Sequence, residues 1–338
     1  MACDVLGLGR RLPMSNAAVR HLTVDAESAD QRLDNFLLRE LKGAPKTLIY
    51  RIIRSGEVRV NKARARADTR LQAGDDVRLP PVRLPERVIG AAPSVVPARE
   101  FPVLYEDEWL LAIDKPAGVA VHGGSGVSSG VIEQLRRARP GAALLELVHR
   151  LDRETSGVLL VAKRRSALKR LQDQFRERST GKTYLALVRG EWPAARKVID
   201  VPLHKYLLPD GERRVRVTDA RDPLGQRSIS LVRVLGDVPP PSGATVDAPR
   251  MTLLAVTIKT GRTHQIRVHL AHAGHPIAGD DKYGDFEWNR LLTRLGLKRM
   301  FLHAWRLTIR HPVTEQELQL HAPLPPELAD WGDMRRFF

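Results

Sequence analysis

Six prolines between residues 80 and 102 set the plan of this chain: Pro80, Pro81, Pro85, Pro93, Pro97 and Pro102. Each fixes φ and removes a backbone donor, so neither a regular helix nor a central strand can run through the segment. The stretch predicts an extended linker, assigned to residues 89–102, between a small unit at 23–88 and a larger one at 103–338, with residues 1–22 as a mobile tail. A chain of 338 residues with 43% apolar content can bury a core in each unit.

The small unit reads as two helices and a few short strands. Leu33, Phe36, Leu37 and Leu41 recur at helical spacing. A second helix follows Lys42-Gly43-Ala44, opened by Pro45 and closed by Gly56, with Leu48, Ile49, Ile52 and Ile53 as its buried stripe. Residues 57–61 alternate as a half-exposed strand, 72–76 form a turn and 77–79 a strand. In the large unit strands are expected at 110–115, 157–161, 183–188, 213–218, 227–235, 251–259, 300–309 and 315–320, and helices at 131–139, 166–178 and 263–273. Residues 237–249 read as a long surface turn. Strands outnumber helices without regular alternation, which predicts an α+β fold: a mixed, mostly antiparallel sheet with helices packed on it.

Within the large unit, the polar run His149-Arg150-Leu151-Asp152-Arg153 leads into an apolar run after Gly157. Asp152 thus sits between two cations on a loop mounted on a buried strand, a placement from which side chains meet substrates. An Asx turn with solvated arginines is the plainer reading of those residues alone.

The full string His149-Arg150-Leu151-Asp152, followed by Thr155-Ser156-Gly157, resembles the catalytic motif of the RluA-type pseudouridine synthases. Lys182-Thr183-Tyr184-Leu185-Ala186-Leu187-Val188 resembles the family's tyrosine motif, and Gly261-Arg262-Thr263-His264-Gln265-Ile266-Arg267-Val268-His269 its basic motif, in the family's order. Arg32-Leu33-Asp34, the string from Ile53 to Asn61 and Ala73-Gly74-Asp75 resemble an S4 RNA-binding domain. Together the resemblance runs from about Asp30 to the C-terminus. It implies the pseudouridine synthase fold preceded by a small α/β S4 domain, and an isomerase acting on uridines of 23S large-subunit ribosomal RNA or its precursor.

The reaction so implied breaks the N1–C1′ bond of a flipped-out uridine and joins C5 to C1′. No redox change or energy input is involved, so no cofactor is expected. By resemblance Asp152 is the catalytic carboxylate and Arg267 pairs with it across the cleft, with Arg262 as the rival for that role. A carboxylate in a desolvated cleft needs such a cation close by. Tyr184 offers a face for uracil and a phenol that helps take the C5 proton. Arg150 would fill the gap left by the everted base, with Leu151 facing the core. His149 and His264 join Arg150 and Arg262 as expected substrate contacts. Lys46, Arg51, Arg54, Arg59 and Lys62, with Arg64 and Arg66 nearby, are expected at RNA phosphates.

A formal charge of +16 agrees with a polyanionic partner. No run of about 18 apolar residues exists, which argues against a membrane. The single Cys3 excludes an internal disulfide framework and favours a cytoplasmic location, and Arg10-Arg11 is not followed by the hydrophobic region of an export signal. The loop Val121-His122-Gly123-Gly124-Ser125-Gly126 lacks the Gly-Lys-Ser/Thr ending of a nucleotide-binding P-loop. His264, His269, His272 and His275 show no zinc-ligand spacing, so no metal is expected. A monomer is the default expectation. Two rival functions predict different behaviour: an assembly factor without turnover, and a metal-dependent nuclease.

Overall fold

The computed structural model describes residues 18–41, 44–82, 96–123, 129–209, 212–219, 221–239, 249–332 and 334–337. The chain divides into two compact units, residues 1–93 and 94–338. Several expectations fall wholly or partly outside the described residues: the tail through residue 17, including Cys3 and Arg10-Arg11, Lys42-Gly43, the linker's residues 89–95, residues 124–126 of the glycine loop, and 240–248 of the Pro/Gly stretch. Pro97 and Pro102 lie in backbone without regular structure, as their locked φ dictates.

In the small unit the helices Leu33–Glu40 and Lys46–Arg54 pack on a four-stranded antiparallel sheet. Their stripes, Leu33, Phe36, Leu37, Ile49, Ile52 and Ile53, close over Leu71, Val77 and Leu79 in one core. The second helix stops where Gly56 takes a φ of +76°, a conformation that costs a glycine little. One expectation needs correction here. The tail does not extend through residue 22, because Arg20–Thr23 is a strand paired with Asp76–Leu79. The strand expected at 57–61 shortens to Arg59–Val60, since Asn61 and Lys62 turn through positive φ. Asp34 is buried and takes both bonds of the Arg32 guanidinium, at 3.1 and 2.8 Å, plus the Tyr50 hydroxyl.

The large unit is built on one sheet whose main path runs through Val198–Asp200, Ile229–Val238, Met251–Ile258, Gly181–Arg189, Leu302–Arg310, Ser156–Ala162, Leu110–Lys115 and Val103–Glu106. Among the described residues every pairing in this sheet is antiparallel except one, between Leu302–Arg310 and Ser156–Ala162. That parallel pair explains Gly157. Its φ is +111°, and a Cβ there would stand 2.2 Å from the Ala304 carbonyl oxygen. A separate ribbon, Leu203–Leu207 with Arg213–Val217, packs on the helix Gln265–His272 through Leu203, Val215 and Val268. The strand expected to end at residue 235 continues to Val238, so the predicted surface turn starts later than residue 237.

Candidate active site

The loop carrying Asp152 is anchored on both sides of the acid. Leu151 is buried in the core formed with Leu159, Val161 and Ala304. On the other side, the Arg153 carbonyl accepts from the Gly118 amide at 2.9 Å and from the Lys115 ammonium at 3.0 Å. Lys115 is fully buried and also donates to the carbonyls of Pro116 and Val119, both at 2.8 Å. Burial pushes that ammonium down to about 7. With its flanks fixed, Asp152 is presented half-buried at the end of the strand Ser156–Ala162 rather than on a mobile turn.

Facing it is the start of the helix Gln265–His272. Gln265 is buried and ties the preceding turn to the sheet: its side-chain oxygen accepts from Thr260 and the Arg262 amide, and its amide donates to Ile229 and Ser230. Two residues along, Arg267 is 3% exposed. Its Nε and Nη2 donate to the two carboxylate oxygens of Asp280 at 2.7 and 2.6 Å, and Nη2 reaches Asp281 at 3.2 Å. Nη1 lies 3.9 Å from Asp152 Oδ2. Burial opposes the charge on Arg267, but Asp280 first, then Asp152 and Asp281, hold the guanidinium above its ordinary range. Asp280 is likewise held below the usual carboxylate range by Arg267 and the amides of Lys282 and Tyr283, despite its burial.

His264, at the helix start with φ +52°, places Nε2 at 3.9 Å from the same Asp152 oxygen. Its Nδ1 is 2.8 Å from the Tyr283 hydroxyl, which itself accepts from the Val215 amide at 3.0 Å. Burial lowers the imidazole, with Arg267 and Lys282 adding to the effect and Asp152 opposing it. A neutral ring receiving the Tyr283 proton at Nδ1 carries its own proton on Nε2, directed toward Asp152.

Asp152, His264, Gln265 and Arg267 line one cavity of about 120 Å³, together with Arg150, Thr155, Tyr184, Ile258, Arg262 and Leu302. That volume is well below the roughly 300–1,000 Å³ of clefts for drug-sized ligands and suits a single planar ring. Burial, aided by Asp152, raises the Tyr184 phenol above its ordinary range. A phenol so held offers a ring face and a hydrogen-bond donor.

The structure thus brings together Asp152, Tyr184, Arg267, Arg150, Arg262 and His264. Arg262, the rival partner for Asp152, instead directs Nε to the Arg227 carbonyl at 3.3 Å. His149 departs from its expected place among substrate contacts. Its Nε2 accepts the Leu160 amide at 3.1 Å, its ring stacks on Phe175 at 4.8 Å, and burial pushes it down to about 4. It therefore braces the loop from behind. Of the other histidines, His269 is buried and bonded to Ser230 and Val201, and among the described residues no His, Cys, Asp or Glu group could hold a metal ion. Lys46, Arg51, Arg54 and Lys62 are exposed on the small unit and Arg59 is half-buried. Asp280, Gln265 and Lys115 were not singled out by the sequence. Gln265 and Lys115 sit in or beside recognisable strings, whereas Asp280 has no motif to mark it.

The RNA pseudouridylate synthase family matches residues 109–272, and the S4 domain family matches residues 31–77. Among curated relatives, ribosomal large subunit pseudouridine synthase C of Pasteurella multocida (strain Pm70) is 51% identical over 316 residues, covering 93% of each chain. The protein of the same name from Escherichia coli (strain K12) is 50% identical over 312 residues, covering 91% of this chain and 93% of that one. Among solved structures, human RNA pseudouridylate synthase domain containing 4 superposes with a TM-score of 0.52 at 30% identity, over 68% of this chain and 90% of that one. Human RNA pseudouridylate synthase domain containing 1 gives a TM-score of 0.56 at 26% identity, over 70% and 89% of the two chains. With an acid, a neutral tyrosine and an anchored arginine around one ring-sized cavity, and with relatives of this identity and coverage, the chain belongs to the RNA pseudouridylate synthases and carries an S4 domain.

Proposed function

We propose that this protein isomerises specific uridines of 23S ribosomal RNA to pseudouridine, with Asp152 as the catalytic carboxylate. The observation that carries the reading is the placement of Asp152 at a ring-sized cavity, 3.9 Å from a guanidinium whose other donors are already taken. A uridine everted from its stack enters the cavity; Tyr184 supports the uracil face, and Arg150, exposed at the rim, occupies the gap left in the RNA. The N1–C1′ bond breaks, the ring turns, C5 bonds to C1′, and the proton lost from C5 is balanced by one gained at N1. Oxidation states are unchanged overall, and the reading requires no cofactor.

Arg267 keeps positive charge beside Asp152, and His264 directs a neutral N–H at it, so the carboxylate is oriented without a short ion pair. The large-subunit substrate is supported by the names of the relatives, and the +16 charge and the exposed cations of the S4 domain support a structured RNA partner. No helix among the described residues is long and apolar enough to cross a membrane. We place the enzyme in the cytoplasm as a monomer. Tritium release from C5-labelled 23S RNA tests the proposal: release by the native protein and none by Asp152→Asn supports it, and absence of release by the native protein overturns it.

A further inference from the structure

A second concavity, of about 540 Å³, lies along the helix Phe286–Arg294, in a part of the chain beyond the 109–272 family match. Phe286, Arg290, Thr293 and Arg294 fall at i, i+4, i+7 and i+8 and so share one face of that helix, and Lys298 extends the row past its end. Cations on a helix surface are ordinarily only a solvated face. Four observations set these apart.

They border a groove rather than a convex surface. Among the described residues no carboxylate lies within ion-pair distance of Arg290, Arg294 or Lys298; the bond Arg290 makes is to its own helix, Nε to the Phe286 carbonyl. At the other end Phe286 is 57% exposed, an aromatic face left in solvent. Finally, one contact joins the groove to the Asp152 cavity. Asp281 lines the groove, and its Oδ1 is 3.2 Å from Nη2 of Arg267, which lines the cavity.

We propose that this groove binds the single-stranded RNA flanking the target uridine, with Arg290, Arg294 and Lys298 on successive phosphates and Phe286 under an unstacked base. The proposal rests on the RNA substrate argued above. From the Asp281–Arg267 contact between the two sites, the nine-residue helix offers about 13 Å of track for the nucleotides that neighbour the target uridine. A cationic groove with one aromatic platform takes sugar–phosphate backbone and a base face irrespective of sequence.

The test is RNA affinity as a function of salt, read on the full-length protein with an rRNA fragment that keeps the target's flanks. The triple variant Arg290→Gln, Arg294→Gln, Lys298→Gln removes three single-strand contacts, and its log–log salt slope should be shallower by about 2. Phe286→Ser should weaken affinity by at least about fivefold. A control triple, Arg137→Gln, Lys197→Gln, Arg233→Gln, removes the same charge from exposed positions elsewhere on the unit and should keep the native slope. Trimming the RNA flanks should abolish the difference in affinity between the groove variant and native protein. A native slope in the groove variant, or an equal loss in both triples, overturns the proposal. Tritium release by the native protein on the same RNA is measured in parallel, so a failure of the isomerase reading is seen separately from a failure of the groove.

Discussion

Asp280→Asn is the change that best separates anchoring from chemistry. Asp280 is fully buried and accepts four bonds: two from Arg267, at 2.7 and 2.6 Å, and the amides of Lys282 and Tyr283 at 2.8 and 3.0 Å. An amide of the same shape turns an N–H toward either the guanidinium or those backbone amides, and it takes the nearest counter-charge from a guanidinium that is 3% exposed, leaving Asp281 at 3.2 Å and Asp152 at 3.9 Å. Breaking one partner of a buried pair costs about 3–5 kcal/mol. For a unit of this size that lowers the melting temperature by roughly 6–20 °C. Asp152→Asn removes an acid that is 22% exposed and 3.9 Å from its cation, and should cost no more than about 1 kcal/mol. The expected pattern is therefore crossed. By urea titration and tritium release below both melting transitions, Asp280→Asn is unstable yet retains some turnover, reduced on the order of 100-fold by displacement of Arg267, whereas Asp152→Asn is stable and inert. If Asp280→Asn unfolds within 1 kcal/mol of the native protein, the claim that this pair anchors the site is wrong.

Other perturbations have equally definite outcomes. Tyr184→Phe keeps the ring and should show the native pH–rate shape between about pH 6 and 9, because the buried phenol does not ionise there; a basic limb that disappears with the hydroxyl would contradict this. Gly157→Ala forces a Cβ to 2.2 Å from the Ala304 carbonyl at a φ of +111° and should cost about 3 kcal/mol or more, so a urea midpoint equal to native would reject the close approach. His269 and His303 are held near 4 by burial, against 6.5 when unfolded. Below 6.5 the unfolded chain binds protons that the native one refuses, so these groups are neutral to stability above that pH, and stability falls as pH drops toward 4, by roughly 3 kcal/mol for each. His303→Gln should flatten the decline between pH 7 and 4.5, and an unaltered decline would remove His303 from the account.

What the sequence could and could not show follows from which interactions are local. The strand expected at 110–115 is the strand observed, because Leu110, Leu111, Ala112 and Ile113 form an unbroken apolar run stopped by Lys115-Pro116. The helix bearing Arg267 was visible for a similar reason, with Gly261 before it and Ile266 and Leu270 on its buried side. By contrast, Arg20–Thr23 is a strand only by virtue of Asp76–Leu79 more than fifty residues away, and it reads RHLT, with no apolar alternation to announce it. The helix Phe286–Arg294 leaves little trace in the sequence because its buried side rests on little more than Trp288 and Leu292. Proximity of Asp152 to Arg267 came from resemblance, since nothing in their spacing of over a hundred residues brings them together.

The relation between those two residues is also where the sequence was least informative, and it bears on how the site works. A guanidinium paired bidentately with Asp152 would occupy both carboxylate oxygens and stabilise the acid at the expense of its reactivity. The fold assigns that pairing to Asp280 instead, leaving Arg267 immobile and its Nη1 3.9 Å from Asp152. On the role proposed for Asp152, the field of the cation acts on it while the lone pairs of its oxygens stay open to the substrate, so that Asp280 positions the cation and Asp152 is left for the reaction. It follows that bringing the two closer should not help. Asp152→Glu adds a methylene that lets the carboxylate reach the guanidinium, and it should lower tritium release by at least about tenfold while leaving the urea midpoint unchanged or raised. Native-like turnover in Asp152→Glu would show that the gap to Arg267 has no catalytic meaning.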